Sequence, residues 1–360
     1  MVSDLPNGLG PIRQPSGEIV SIQQLRGLAA GAVLCFHACQ RAGLEFGVGA
    51  AGVDVFFAIS GFIMWVVTAR GELKPWVFLK RRVVRIVPLY WLVTLATAAL
   101  AVAAPRLFPA MRPTLSHVVQ SLLFVPHADP DGQTYPLLVP GWTLNYEAFF
   151  YLVFAAALFA AARARAVLVT VALGALVMLR PLLAHAGPAA ATYTDPLMLE
   201  FVAGVWLGVA WTHGRLLPAW LGWLAVGVGV CAFAALELGG VDVASWRAAG
   251  WGLPAFLIVA GSVSVERAGR MPKLGALERL GDASYALYLV HGLVVSAAAR
   301  ALEIVHLRSP WVIATCAIVA GLLAGLAAHR GIERPLLSLF RRRSAKSAPS
   351  GALAPSRPAS

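Results

Sequence analysis

The sequence predicts an all-α, polytopic integral membrane bundle of about ten transmembrane helices. Three observations lead there. Of 360 residues, 59% are hydrophobic and only 13% charged, and mean hydropathy is +0.74. A soluble domain carries about a quarter charged residues, and this much apolar surface has no place in one water-facing core. The apolar residues fall into successive runs with short breaks, each roughly the 17 to 25 residues a bilayer requires. The short alternating strands of a membrane barrel are not seen.

In chain order, residues 1–20 hold Gly, Pro and polar side chains without an apolar run. They read as an N-terminal cytoplasmic segment rather than a cleavable signal. A single membrane domain follows over 21–340, with spans expected at 27–46, 49–69, 84–104, 142–162, 166–184, 197–213, 218–236, 248–265, 283–303 and 309–329. Residues 341–360 open on Arg341, Arg342 and Arg343 and continue in Ser, Ala and Pro, the composition of a disordered basic tail.

Positive charge sets the orientation. The chain has 29 Lys and Arg against 17 Asp and Glu, a formal charge of +12. With the N-terminus inside and each span crossing once, only Arg41, Arg106, Arg112, Arg180, Arg247, Arg300 and Arg308 fall outside. Basic residues crowd cytoplasmic loops, so both termini are expected in the cytoplasm. The net charge then reflects those loops rather than nucleic-acid binding. The longest external connection is 105–140, with His117, His127, Asp129 and Asp131. Its apolar stretch 118–125 is too short to span and suits the membrane surface.

An ionisable side chain inside a span marks a functional site by default. Arg26 and His37 are eleven residues apart, three turns plus about 20°, so they share a face roughly 16 Å apart. Ser60 falls near the depth of His37, Asp54 and Glu147 slightly outward, and His291 slightly inward. Thr143, Glu147 and Tyr151 form one polar stripe, and Ser284, Tyr288 and His291 another. Any single stripe is explained by interhelical hydrogen bonds; five polar groups at one depth point to a shared cavity. Lys80, Arg81, Arg82 and Arg85 cluster at the cytoplasmic end of the third span. That cluster serves topology and headgroup contact, or a phosphorylated ligand matched to Arg forks.

Other chemistries lack support. Four cysteines make no disulfide framework. Cys35 and Cys39 share a face, but His37 points about 200° from Cys35, so no metal site is read there. No P-loop and no G-x-S-x-G occurs.

The ordered pieces resemble the membrane-bound acyltransferase-3 family, of the polysaccharide or exopolysaccharide O-acyltransferase type. They are SIQQLRGLAAGAVLCFH, holding Arg26 and His37 as R-x10-H; GVDVFFAISGFIM at 52–64; FLKRRVVRIVPLYWL at 78–92, holding Arg82 and Arg85; GWTLNYEAFFY at 141–151; SYALYLVH at 284–291; and IERPLL at 332–337. The match covers nearly the whole chain. Thr143 departs from the usual Ser but keeps a hydroxyl. The hydrolase-like extracytoplasmic domain that some members carry is not expected here.

The resemblance implies acyl transfer, usually of acetyl, from cytoplasmic acyl-CoA to a hydroxyl of a surface or exported glycan, at a bacterial inner membrane. It implies His37 as the catalytic histidine, Arg26, Arg82 and Arg85 as donor-binding residues, and Glu147 as a functional residue. A neutral imidazole takes a hydroxyl proton. Glu147 orients it or holds the acceptor, and Ser60 or Tyr288 stabilises an oxyanion. Acceptor contacts are assigned to Asp54, Ser60, Trp142, Tyr151, Tyr288 and His291. No metal cofactor is expected. The acceptor is a glycan or lipid-linked sugar, with membrane lipids around the bundle and oligomerisation left open. Two other readings remain, a small-molecule acyltransferase and a proton-coupled transporter.

Overall fold

The computed structural model describes residues 18–69, 71, 73–105 and 113–346. It is helical throughout, with no strand among the described residues. The helices are α1 Val20–Ala42, α2 Gly52–Thr68, α3 Pro75–Ala103, α4 Leu115–Leu122, α5 Gly141–Ala157, α6 Ala162–Met178, α7 Arg180–Leu183, α8 Pro188–Tyr193, α9 Met198–Thr212, α10 Ala219–Leu238, α11 Arg247–Gly250, α12 Gly252–Arg267, α13 Gly275–Ile304, α14 Pro310–Ala328 and α15 Arg334–Lys346.

Each of the ten expected spans overlaps one helix of fifteen residues or more, with 166–184 running on into α7 and 248–265 beginning in α11. By length and composition, six helical segments can cross a membrane: Gly47–Thr68, Pro75–Ala103, Ala219–Leu238, Ala244–Arg267, Gly275–Ile304 and Pro310–Phe340. Helices α5, α6 and α9 are shorter, and α1 is diluted by Gln23, Gln24, Arg26, His37 and Gln40.

Three helices start seven to nine residues before their apolar runs, because local chemistry supports polar first turns. The N–H groups of Val20 and Ser21 donate to the Glu266 carboxylate, each at 2.8 Å, which satisfies the open end of α1. Pro75 occupies the first turn of α3, where no N–H is needed. Helix α13 starts at Gly275. These added turns carry Arg26 and Arg82, and Arg85 follows one turn after Arg82. At the other end, α15 continues to Lys346, six residues into the segment expected to be disordered. The rest of that tail, like residues 1–17, lies outside the described residues. The apolar stretch of the 105–140 connection forms the short helix α4. Tyr90 and Trp91 of α3 fasten it by donating to the carbonyls of Ser121 and Leu122 at 3.0 and 2.9 Å.

Helix α2 is the centre of the bundle. All of its residues are buried except Phe56, Ile63 and Val67. It lies directly on α9, and the approach depends on two glycines. A Cβ on Gly61 would strike the Phe201 carbonyl, and one on Gly204 would strike that of Ala58. Lipid gives helices no hydrophobic reason to associate, so close backbone packing carries the contact. Helix α1 lies against α13 and α14, and α10 against α12. The outer helices show the converse pattern. Helix α10 buries only Ala219, Gly222 and Gly229, while Trp220, Trp223, Leu224 and Val230 are exposed. Such a surface belongs in lipid.

Candidate active site

The three residues of α2 that escape burial, Phe56, Ile63 and Val67, fall with Ser60 at i, i+4, i+7 and i+11 on one face. That face looks into a cavity of about 540 Å³ enclosed by α1, α2, α3, α5 and α13. Arg26, Arg82 and Arg85 line the end marked by the start of α1 and of α3. Ser60, Thr143, Glu147, Tyr151 and Tyr288 line the deeper part. The sequence places the Arg end toward the cytoplasm.

The Arg end is held by polar contacts. The Arg26 guanidinium donates to Ser284 Oγ at 3.0 Å. Arg85 pairs with Glu333 and lies 5.6 Å over the Tyr285 ring. Glu333 is buried and also meets Nδ1 of His329 at 2.7 Å. These two residues bound a π-helical turn, His329–Glu333. Such turns are frequent at functional sites because the extra residue re-aims the side chains around it. Nε of Arg82 is buried without a hydrogen-bond partner among the described residues.

In the deep part, Ser60 Oγ donates to Glu147 Oε1 at 2.9 Å, and the Tyr151 hydroxyl donates to the same oxygen. Both donors converge on one carboxylate oxygen. One turn toward the start of α5, Thr143 and Tyr288 share a hydroxyl hydrogen bond of 3.0 Å. The Phe56 and Tyr288 rings meet edge-on at 5.9 Å.

His37 is half-buried but does not line this cavity, and neither does His291. The two imidazoles pack together at 5.1 Å between centroids, and His291 meets the Tyr288 ring at 5.7 Å. A row of rings therefore connects the cavity wall to His37. His291 Nδ1 lies 2.6 Å from the Tyr288 carbonyl. A carbonyl only accepts, so the proton sits on Nδ1 and leaves Nε2 as an acceptor. Nε2 is buried without a hydrogen-bond partner among the described residues. Glu147 does not hydrogen-bond His37; its partners are Ser60 and Tyr151.

Asp54 lies apart from the cavity. It is fully buried and holds Arg247 through both carboxylate oxygens, at 2.7 and 3.2 Å. Arg247 also donates to the Ala50 carbonyl at 3.2 Å and lies 5.6 Å over Trp142 and 4.9 Å over Trp251. Trp142 is thus a wall of this ion pair, packed edge-on against Tyr146. Glu200 is buried nearby, with neither carboxylate oxygen hydrogen-bonded among the described residues. No cluster of three or more potential metal ligands occurs among the described residues.

Sequence reasoning left Glu333, Glu200 and Arg247 without roles. Glu333 stands in the quoted IERPLL piece, and Glu200 is a carboxylate inside an expected span, the signal that singled out Asp54. Arg247 had no signal beyond its charge near an outer span end, because its partner is 193 positions away.

A helical membrane protein with an arginine-mouthed cavity closed by hydroxyl and carboxylate groups, with an imidazole pair packed behind Tyr288, is the class that fold and site define. The chain belongs to the acyltransferase-3 family, whose model, described as an acyltransferase domain, matches residues 19–330. It is an acyltransferase that moves groups other than aminoacyl groups, and a multi-pass membrane protein. Among characterised relatives, it is 42% identical over 313 residues to the exopolysaccharide production protein ExoZ of Rhizobium meliloti (strain 1021), covering 86% of this chain and 96% of that protein. It is 27% identical over 379 residues to the acyltransferase MdmB of Streptomyces mycarofaciens, covering 90% and 94%. No solved structure shows a significant match.

Proposed function

We infer that the protein transfers an acyl group, acetyl by preference, from cytoplasmic acyl-CoA to a hydroxyl of an exported glycan of the exopolysaccharide type, at the inner membrane of a bacterium. The observation that carries this reading is the cavity with three arginines at its mouth and a hydroxyl–carboxylate cluster at its end. The likeness to an exopolysaccharide production protein supports the glycan acceptor.

The arginines take the donor phosphates, for which guanidinium forks are matched in charge and geometry. The neutral pantetheine arm runs past Ile63 and Ser60 and brings the thioester to the Tyr288 level. His37 approaches from the far side of Tyr288 and His291. It takes the proton of the acceptor hydroxyl as the oxygen attacks the thioester carbon. The hydroxyls of Tyr288 and Thr143 steady the developing oxyanion. The C–S bond then breaks, and His37 returns its proton to the departing thiolate, leaving an O-ester and free coenzyme A. Glu147, fixed by Ser60 and Tyr151, keeps the cavity end polar and accepts a hydrogen bond from an amide N–H of the pantetheine arm.

Two experiments test this. Deleting the gene should remove an acyl ester from the cell's exopolysaccharide, read by mass spectrometry; an unchanged ester profile would contradict the acceptor class. Arg82→Ala and Arg85→Ala should each raise the donor KM about 10- to 100-fold, since a hydrogen bond to a charged group contributes about 1.5–3 kcal/mol. Lysine in either position should restore only part of the affinity, because it keeps the charge and loses the fork. Wild-type donor KM in both alanine variants would reduce the pair to a topology signal.

A further inference from the structure

A second cavity, of about 470 Å³, lies at the opposite end of α1 from the arginines. Its walls are Phe36 and Gln40 of α1, the segment Gly43–Gly47 that follows it, the end of α10 and Trp251. We propose that this cavity is the acceptor subsite and that it seats a neutral hexosyl unit of the glycan. The proposal rests on the acyl-transfer reading above and gives it a second binding site.

Three features argue for a sugar. The first is chemistry. Phe36, Phe46 and Trp251 offer ring surface, while Gln40 and Glu45 offer an amide and a carboxylate. Aromatic faces carry negative charge that attracts the polarised C–H edges of a pyranose. Amide and carboxylate groups bind its hydroxyls. No Lys or Arg lines the cavity, and Glu45 and Glu237 do, so an anionic ligand is repelled. The size falls in the ordinary range for small-molecule pockets.

The second feature is that the walls are already set. The Glu237 carboxylate accepts from the N–H groups of Gly47 and Val48 at 2.9 and 2.7 Å, which fixes the turn after α1 to the end of α10. Arg247, held by Asp54, lies over Trp251 and fixes that ring. The third feature is position. The Phe36 ring that walls the cavity packs against His37 at 4.7 Å, and Gln40 stands one turn beyond His37. His37 therefore lies between the two cavities, where a base serving a donor from one end and a hydroxyl from the other has to stand.

The test uses the full-length protein in lipid nanodiscs, acetyl-CoA as donor, and the deacylated neutral oligosaccharide repeat of the cell's exopolysaccharide as acceptor. Gln40→Ala combined with Glu45→Ala should raise acceptor KM at least about tenfold, through the loss of one neutral hydrogen bond and one to a charged group. Val241→Trp, which fills the cavity from an exposed position, should do the same. Donor KM stays at the wild-type value in both, which also reports a folded protein. A uronic-acid oligosaccharide of equal size should compete at least tenfold more weakly than the neutral one. Acceptor KM within twofold of wild type in both variants overturns the subsite, and equal competition by the uronate overturns its neutral character. A wild-type enzyme that acylates no glycan sinks the functional reading instead, a result separable from the other two.

Discussion

Replacing His37 with alanine is expected to lower acyl transfer by about 10² to 10⁴, the range for loss of a general base. The loss should fall on kcat, because among the described residues no hydrogen bond ties His37 to the arginine-mouthed cavity, and the arginines proposed to bind the donor stay in place. His291→Ala is the companion variant. His291 is buried, and its Nδ1 proton is committed to the Tyr288 carbonyl, so it acts by packing the His37 ring in place. Its loss should be smaller and should be partly recovered by His291→Gln, which restores a side-chain donor. Donor binding by calorimetry and thermal unfolding of both variants separate lost chemistry from lost fold. Near-wild-type transfer by His37→Ala, or greater damage from His291→Ala, would remove His37 from the proposed role.

The second large effect concerns stability. Arg247→Ala should destabilise the folded protein by about 3–5 kcal/mol, the cost of stranding one member of a buried ion pair. Asp54 has no exposure, and the neighbouring carboxyl of Glu200 has no hydrogen bond among the described residues that would offset the lost cation. The rings of Trp142 and Trp251 would lose their shared cation as well. Replacing both partners with apolar residues, Asp54→Leu with Arg247→Met, should recover much of the loss, because an ion pair and a well-packed apolar pair of similar volume are close in stability. Thermal unfolding in detergent reads both outcomes. An Arg247→Ala protein as stable as wild type would show that water reaches the pair.

Much of this architecture is legible in the chain because a membrane helix announces itself by composition. Every expected span overlaps one long helix. Arg26 and His37 stand on the same helix, but only Arg26 lines the cavity. The helix starts are less legible, since the extra turns of α1, α3 and α13 are polar and depend on partners far away, such as Glu266 for α1. Depth alone also brought unlike residues together. The sequence assigns Asp54, Ser60, Glu147, His37 and His291 to similar levels, yet they divide among an ion pair, a cavity lining and an imidazole stack. Which side of a helix faces which neighbour is set by close contacts such as Gly61 and Gly204 between α2 and α9. No single-helix periodicity encodes such a contact. Glu333 illustrates the same limit, because its partner Arg85 is 248 positions away and its aim depends on a π-helical turn.

The central claim is tested most directly by purified protein in nanodiscs, supplied with acetyl-CoA on its own and then with the deacylated glycan repeat. Free coenzyme A thiol and glycan ester are measured in the same reaction. The account requires thiol release that depends on acceptor, matched one for one by ester, and lost together in His37→Ala. Thiol release without ester, or glycan acylation undiminished in His37→Ala, would contradict it.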